Sequence, residues 1–308
     1  MNLNIIVLAK QVPDTRCVGQ GTMSADGTIN RAALPVIVNP DDMKALEQAL
    51  RLKELHPGST IQVLTMGPSR AADVVRESLF RGADGGYLLS DCAFRGADTL
   101  ATSYALATAI AQMGAYDIVL CGRQAIDGET AQVGSQVAER LGVPQITYAE
   151  EVLSISEGAI TVKRRIDEGI EVVEAPLPCV VTVDGSAAPC RPRHAKLLMS
   201  YKHADITTWS ATDINADTTQ CGLSGSPTRV KAVESIVPTA KECRVMGCSD
   251  EEIEEVMREL GTHPNPPSRE GTQSPLSPPS NSLRGRFGGL RIGIIGLLLF
   301  VYGRFHQG

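Results

Sequence analysis

The residues best suited to chemistry lie in one stretch, CGRQAIDGETAQVG, Cys121–Gly134. It follows the apolar run YDIVL and precedes the helical segment SQVAERLG, so it joins a buried strand to a helix. Gly122 and Gly128 permit tight turns and close approach of backbone to a ligand, and Asp127 can orient a hydroxyl or the turn itself. Thr130 is expected to start the helix, with its amides facing the site, a geometry that suits a phosphate. Neither G-x-x-x-x-G-K-[ST] nor G-x-G-x-x-G occurs, which weakens a Walker-type NTPase and an ordinary dinucleotide-binding domain. Loop chemistry alone leaves a nucleotide site and a plain strand-to-helix turn as alternatives.

The elements that must position this loop alternate along the first half of the chain. Short apolar strands (NIIVLA, TIQVLTM, GYLLS, DIVLCG) alternate with helical segments, the signature of a parallel sheet with crossover helices. The fold class expected is therefore α/β, a Rossmann-like open parallel sheet of four to five strands whose first strand is buried on both faces. In NPDDMKALEQALRLKEL, Asn39 is a good N-cap and Pro40 suits the first helical position. Asp41 and Asp42 favour the positive end of the helix dipole, and Met43, Leu46 and Leu50 form one apolar stripe. Three further helices are expected at SRAADVVRESLFRG, GADTLATSYALATAIAQMG and ETAQVGSQVAERLG, each ending near a glycine. In open α/β sheets ligands bind beyond the carboxyl ends of the strands. AKQVPD, NPDD, MGP, GADT (with Asp98 and Thr99) and the Cys121–Gly134 loop all fall there, and one ligand spanning them is an economical explanation.

After about residue 150 the hydrophobic period changes to two, and EEVLSIS, AITVKRRI, GIEVVEA and PCVVTVD read as an antiparallel β-meander. Residues 185–240 are mostly polar and irregular. Within them RPRHAKLLMSYKHADITTW places Leu197, Leu198 and Met199 beside basic residues, as an exposed docking loop would; Trp209 is undecided between a lone exposed anchor and a packed residue. SDEEIEEVMREL reads as a short amphipathic helix with a capping box from Ser249 to Glu252. From Gly261 the chain turns Pro-, Ser- and Gly-rich, with six prolines between His263 and Pro279 and five Arg against one Glu. Its apolar run IGIIGLLLFVY has eleven residues, short of the about 20 that a spanning helix needs. The expected organisation is an α/β domain with its meander (1–190), a docking loop and C-terminal arm (191–260), and a low-complexity disordered tail (261–308) without membrane insertion.

Composition narrows the function classes. A formal charge of −6 without a basic stripe argues against nucleic acid. The eight cysteines include no C-x-x-C pair and no His at metal-like spacing, so no metal site is assigned and a reduced, cytoplasmic chain is expected. His194 and His203 have no carboxylate or cysteine placed with them, and Cys121 reads as a small core residue rather than a redox thiol. No catalytic residue is assigned.

LAKQVPDT, NPDD, LTMGP, ADTLATS and above all CGRQAIDGETAQVG resemble, in order and separation, the beta subunit of electron transfer flavoproteins, across roughly residues 1–260. The resemblance implies a heterodimer with an alpha subunit that holds most of an FAD, and an adenine nucleotide in the beta subunit's own sheet. That nucleotide is AMP in most members and a second FAD in electron-bifurcating ones, which AIDGETAQVG resembles more. It implies contacts from Leu8 and Ala9, from Asn39, Pro40, Asp41 and Asp42, and from Met66 and Gly67. The loop would contribute Gly122, Arg123, Gln124, Ala125, Ile126, Asp127 and Gly128, then Glu129, Thr130, Ala131, Gln132, Val133 and Gly134. Acyl-CoA dehydrogenase or a similar flavin dehydrogenase is the implied electron partner, docking at Leu197 and Leu198. The chain departs from the family at Arg165, where a carboxylate facing an alpha-subunit arginine is common, at Ser135, and in LMSYKHAD after Leu197. From the residues alone, an ATP- or AMP-binding enzyme or a nucleotide-sensing scaffold of the universal-stress-like fold remains the alternative.

Overall fold

Strand β1 (Asn4–Leu8) shows how the core is organised. Ile5 and Val7 point to one face and join Leu46 and Leu50 of helix α1 (Pro40–Leu55); Ile6 and Leu8 point to the other and join Leu106 and Ile110 of helix α3 (Thr99–Met113). A strand with no polar face is stable only with helices on both sides, as in a parallel sheet. The computed structural model describes residues 2–14, 16, 34–199, 204–228, 249, 251, 253–255 and 258.

The main sheet has the order β11-β5-β4-β1-β6-β10-β7-β8-β9. Its members are β4 (Thr60–Met66), β5 (Gly85–Leu89), β6 (Ile118–Gly122), β7 (Gln145–Ser156), β8 (Ala159–Ile166), β9 (Gly169–Pro176), β10 (Cys179–Val183) and β11 (Thr207–Trp209) besides β1. The pairings from β11 through to β7 are parallel; β7–β8 and β8–β9 are antiparallel. The remaining helices are α2 (Ala72–Leu79) and α4 (Val133–Leu141). Gly142 closes α4 in the left-handed conformation, φ 67°, where its amide bonds back to Glu139.

The fold class is as expected, with three corrections of detail. The parallel part holds seven strands among the described residues, rather than four or five. The meander has three strands, not four: β10 leaves it and inserts between β6 and β7. The reason is visible in the strand itself, since CVVTV is buried at every position whereas β8 and β9 each keep exposed residues. The described part of 185–240 is mostly irregular, as expected, but β11 within it adds a parallel edge to β5. Trp209 on β11 is therefore packed, its ring 4.3 Å from that of Tyr87. The sequence reading also passed over a two-stranded antiparallel ribbon, β2 (Gln11–Pro13) with β3 (Val36–Val38).

Contacts divide the chain into two compact units, Met1–Pro238 and Thr239–Gly308. In the second, the Ile253 amide donates to the Ser249 carbonyl at 3.0 Å. Glu252 of the expected capping box, His203 and the whole 261–308 tail lie outside the described residues. Among the described residues no helix is long and apolar enough to cross a membrane.

Candidate functional site

After β1 the chain builds β4 and β5 on one side and β6 on the other, so the strand order reverses at β1, where crevices open in such sheets. A cavity of about 410 Å3 lies there, at the carboxyl ends of β1, β4 and β6. Its apolar lining comes from Leu8, Leu64, Phe94, Leu106 and Cys121, all buried. Its polar lining comes from Lys10, Thr99, Arg123, Gln124, Thr130 and Gln132. This division suits a ligand with a flat apolar part and an anionic part.

Most of the residues expected from the sequence converge on this cavity. Leu8, Ala9, Asp42, Met66, Asp98, Thr99, Gly122 to Ala125 and Gly128 to Gly134 line it. Asn39, Pro40, Asp41, Gly67, Ile126 and Asp127 do not. Asn39 is fully buried at the N-cap of α1 but makes no capping bond with its side chain. Instead its amide nitrogen donates to the Gln124 carbonyl at 2.9 Å, and its side-chain oxygen accepts from the Ile126 amide at 3.2 Å. Asp42 acts likewise: Oδ1 accepts from the Gly122 amide at 2.9 Å and Oδ2 from the Lys10 amide at 2.8 Å. Burial pushes the Asp42 carboxyl up to about 7, against those two bonds. The N-terminus of α1 is thus a brace for the ends of β1 and β6.

Two expectations about the loop are corrected. Helix α4 starts at Val133, so Thr130 does not start it. Gly128 is not held at positive φ, and a Cβ there would meet nothing within 4 Å. The left-handed residues are Glu129 (φ 50°) and Ala131 (φ 53°), with Gln132 right-handed. Alternation of this kind turns successive amides toward one concavity, an anion-binding nest. Among the described residues the amides of Thr130, Ala131 and Gln132 meet no acceptor. Within the protein itself, close approach requires glycine at Gly122, where a Cβ would lie 2.6 Å from Asp42 Oδ1 and 2.7 Å from the Asp41 carbonyl carbon, and at Gly134, 2.6 Å from Thr182 Cγ2.

The cations of the lining are paired with carboxylates behind it. Lys10 Nζ donates to both oxygens of Asp127, at 2.7 and 2.8 Å. Arg123 lies 3.3 Å from Asp184 and its guanidinium 5.5 Å above the Tyr148 ring. Asp98 caps α3 by accepting from the Leu100 and Ala101 amides and also holds Thr228. Burial works against its charge, but the bonds from Thr228 and these amides outweigh it and keep the carboxyl below its usual range. Burial pushes the Cys121 thiol far above its ordinary range, so it offers no thiolate.

Lys10, Gly96, Ala97 and Cys121 line the cavity from segments the sequence pointed to, AKQVPD, GADT and the Cys121–Gly134 loop, without having been assigned as contacts, while Leu64, Phe94, Thr102 and Leu106 were missed. Thr102 and Leu106 carried a signal, being three and seven positions after Thr99 on one face of α3. Phe94 carried none, because it reaches the cavity through a short 3-10 turn after β5.

The segment expected to dock a partner is fixed at its root. Arg191 bonds Glu47 through its amide at 2.9 Å and its guanidinium at 2.9 and 3.0 Å, and also pairs with Glu54; Arg193 Nε donates to Glu77 at 2.9 Å. Leu197 is half-buried in a 3-10 turn, and Leu198 and Met199 are exposed. Arg165, at the position where the resemblance suggested a carboxylate, donates to Glu150 at 2.6 Å. A hydrogen bond from Ser186, then those from Arg165 and Lys163, outweigh burial and hold the Glu150 carboxyl at about 2.

The family profile of the electron transfer flavoprotein domain matches residues 26–214. The chain is 46% identical over 239 residues to the caffeyl-CoA reductase-Etf complex subunit CarD of Acetobacterium woodii, covering 78% of this chain and 89% of that protein. It is 43% identical over 234 residues to the electron transfer flavoprotein subunit beta of Thermoanaerobacterium thermosaccharolyticum (76% and 88%), and 41% identical over 268 residues to protein FixA of Sinorhizobium fredii (84% and 93%). On that breadth of identity, with a nucleotide-sized crevice at the point where strand order reverses, the chain belongs to the electron transfer flavoprotein family, among its beta subunits.

Proposed function

We propose that this chain is the nucleotide-binding, docking subunit of a two-subunit electron carrier, and that the β1–β4–β6 crevice takes an adenine nucleotide. The observation that carries the reading is the arrangement of the crevice: an apolar lining from Leu8, Leu64, Phe94 and Leu106, with open amides at Thr130–Gln132 beside Lys10. The apolar residues suit the base. The amides and the positive end of α4 suit phosphate oxygens, which need N–H groups fixed before the ligand arrives. Asn39 and Asp42 hold the part of the loop that leads to those amides, at Gly122, Gln124 and Ile126.

The redox chemistry belongs to flavin: FAD held mainly by an alpha subunit, with electrons received from a dehydrogenase such as acyl-CoA dehydrogenase that docks at Leu197 and Leu198. Of the two nucleotides that the family resemblance implies, FAD is favoured over AMP by the likeness of AIDGETAQVG to the bifurcating members, and CarD, a relative at 46% identity, is named as a subunit of a reductase-Etf complex. Co-expression with an alpha subunit should yield a yellow heterodimer. Acid release should then give about two flavins per heterodimer if the crevice holds FAD, and about one flavin with one AMP otherwise. Failure of the chains to co-purify would overturn the carrier reading, and a crevice holding no adenine compound would overturn the nucleotide reading.

A further inference from the structure

Lys10 follows β1 by two residues, lines the cavity, and reaches Asp127 of the loop. Its ammonium is held by Asp127 alone among the described residues, and both carboxylate oxygens are used, at 2.7 and 2.8 Å. An ammonium has three donors, so one N–H is left. Lys10 belongs to the cavity lining and Asp127 does not. Asp127 also precedes Gly128 and the left-handed residues Glu129 and Ala131, so the Lys10 charge stands at the same loop as the open amides. The backbone of Lys10 is fixed independently, its amide donating to Asp42 Oδ2 and its carbonyl accepting from the Asn39 amide at 2.9 Å. Lysine is usually a mobile, hydrated point charge, and ordering it costs side-chain entropy. Here that cost is met before a ligand enters.

We propose that Lys10 is a phosphate ligand of the crevice, aimed by Asp127, and that it makes the site select nucleotides over nucleosides. This rests on the nucleotide reading above and deepens it. The ammonium gives its free N–H to a phosphate oxygen while remaining bonded to Asp127, so the carboxylate is a positioning residue and never touches the ligand. The other lining cation, Arg123, lies 3.3 Å from Asp184 and over the Tyr148 ring, whereas Lys10 is tied to Asp127 of the loop that carries the open amides. A neutral nucleoside fills the apolar lining without engaging Lys10.

The test uses the full-length chain, with nucleotide acquired during expression exchanged out by dialysis, and equilibrium binding of AMP, FAD and adenosine. Lys10→Met should weaken AMP and FAD about tenfold or more, the scale of a lost charge-assisted hydrogen bond, and leave adenosine within a factor of about two. Lys10→Arg should restore most of the AMP affinity, and the salt dependence of AMP binding should be shallower in Lys10→Met than in wild type. Equal loss of AMP and adenosine in Lys10→Met, or an AMP affinity unchanged by it, would overturn the role of Lys10 while leaving the crevice as a nucleotide site. Wild-type protein that binds none of the three compounds would instead overturn the nucleotide reading itself.

Discussion

The loop Gly122–Gly134 and the segment Arg191–Met199, proposed to meet a nucleotide and a protein partner, both run largely on irregular backbone, yet they are held in opposite ways. The first half of the loop is fixed by side chains at nearly every second residue: Gly122 by Asp42, Gln124 and Ile126 by Asn39, Asp127 by Lys10. The docking segment is fixed at its root, by Arg191 on Glu47 and Glu54 and Arg193 on Glu77, with Leu198 39% and Met199 63% exposed beyond it. A small ligand gains affinity only from donors already in place, because it contributes few atoms against the cost of ordering them. A protein partner brings a whole surface, so the docking segment needs a fixed base and an apolar tip, and its tip can adapt.

The sharpest way to break this comparison is at the glycines. Gly122→Ala sets a Cβ against the Asp41 backbone and the Asp42 carboxylate at 2.7 and 2.6 Å, and overpacking of this kind costs about 1–3 kcal/mol. Bound nucleotide, measured after acid release, should be largely lost. Gly128→Ala, in open space without positive φ, should retain it. Equal retention by the two variants would mean that the loop is not braced where the structure says.

Next in size is Asn39→Ala. It removes two loop bonds worth about 1 kcal/mol each and should weaken nucleotide binding on the order of tenfold, with α1 little affected because the side chain makes no capping bond. A large fall in thermal stability with unchanged binding would show that Asn39 serves the helix and not the loop.

Leu197→Ala and Leu198→Ala should do the converse, slowing electron transfer to an acyl-CoA dehydrogenase several-fold, as truncation of a docking anchor does, with nucleotide content untouched. Wild-type rates in both variants would remove the docking assignment.

The smallest effect is expected from a site outside both regions. Glu150, with its carboxyl held at about 2 in the folded chain against 4.5 ordinarily, contributes stability that is full above about pH 4.5 and fades as pH falls toward 2. Glu150→Gln should therefore be less stable than wild type at pH 7 in urea unfolding, and the gap should close on acidification. Nucleotide content and transfer rate should not move. A gap that stays constant with pH would mean that packing, not charge, explains the site.

Much of this molecule was legible in the amino-acid order, and the rest was not for physical reasons. Strand and helix alternation is local, so β1, β4, β5, β6 and the four helices could be placed from periodicity, and the Cys121–Gly134 loop stood out by its residue types. CVVTV also carried its answer: a strand apolar at every position belongs inside a parallel sheet, even when it follows a meander in the chain. Backbone conformation was not legible in the same way. Glycine allows positive φ without requiring it, so Gly128 was the natural guess while the left-handed positions fell on Glu129 and Ala131. Roles that depend on partners distant in sequence belonged to the tertiary structure alone. Asn39 has the residue type of a helix cap, but a side-chain amide bonds whatever backbone stands nearest, and folding sets Gln124 and Ile126 there, 85 and 87 positions away. Lys10 and Asp127 are 117 positions apart, and only the closure of the sheet around β1 makes them one pair at the edge of the crevice.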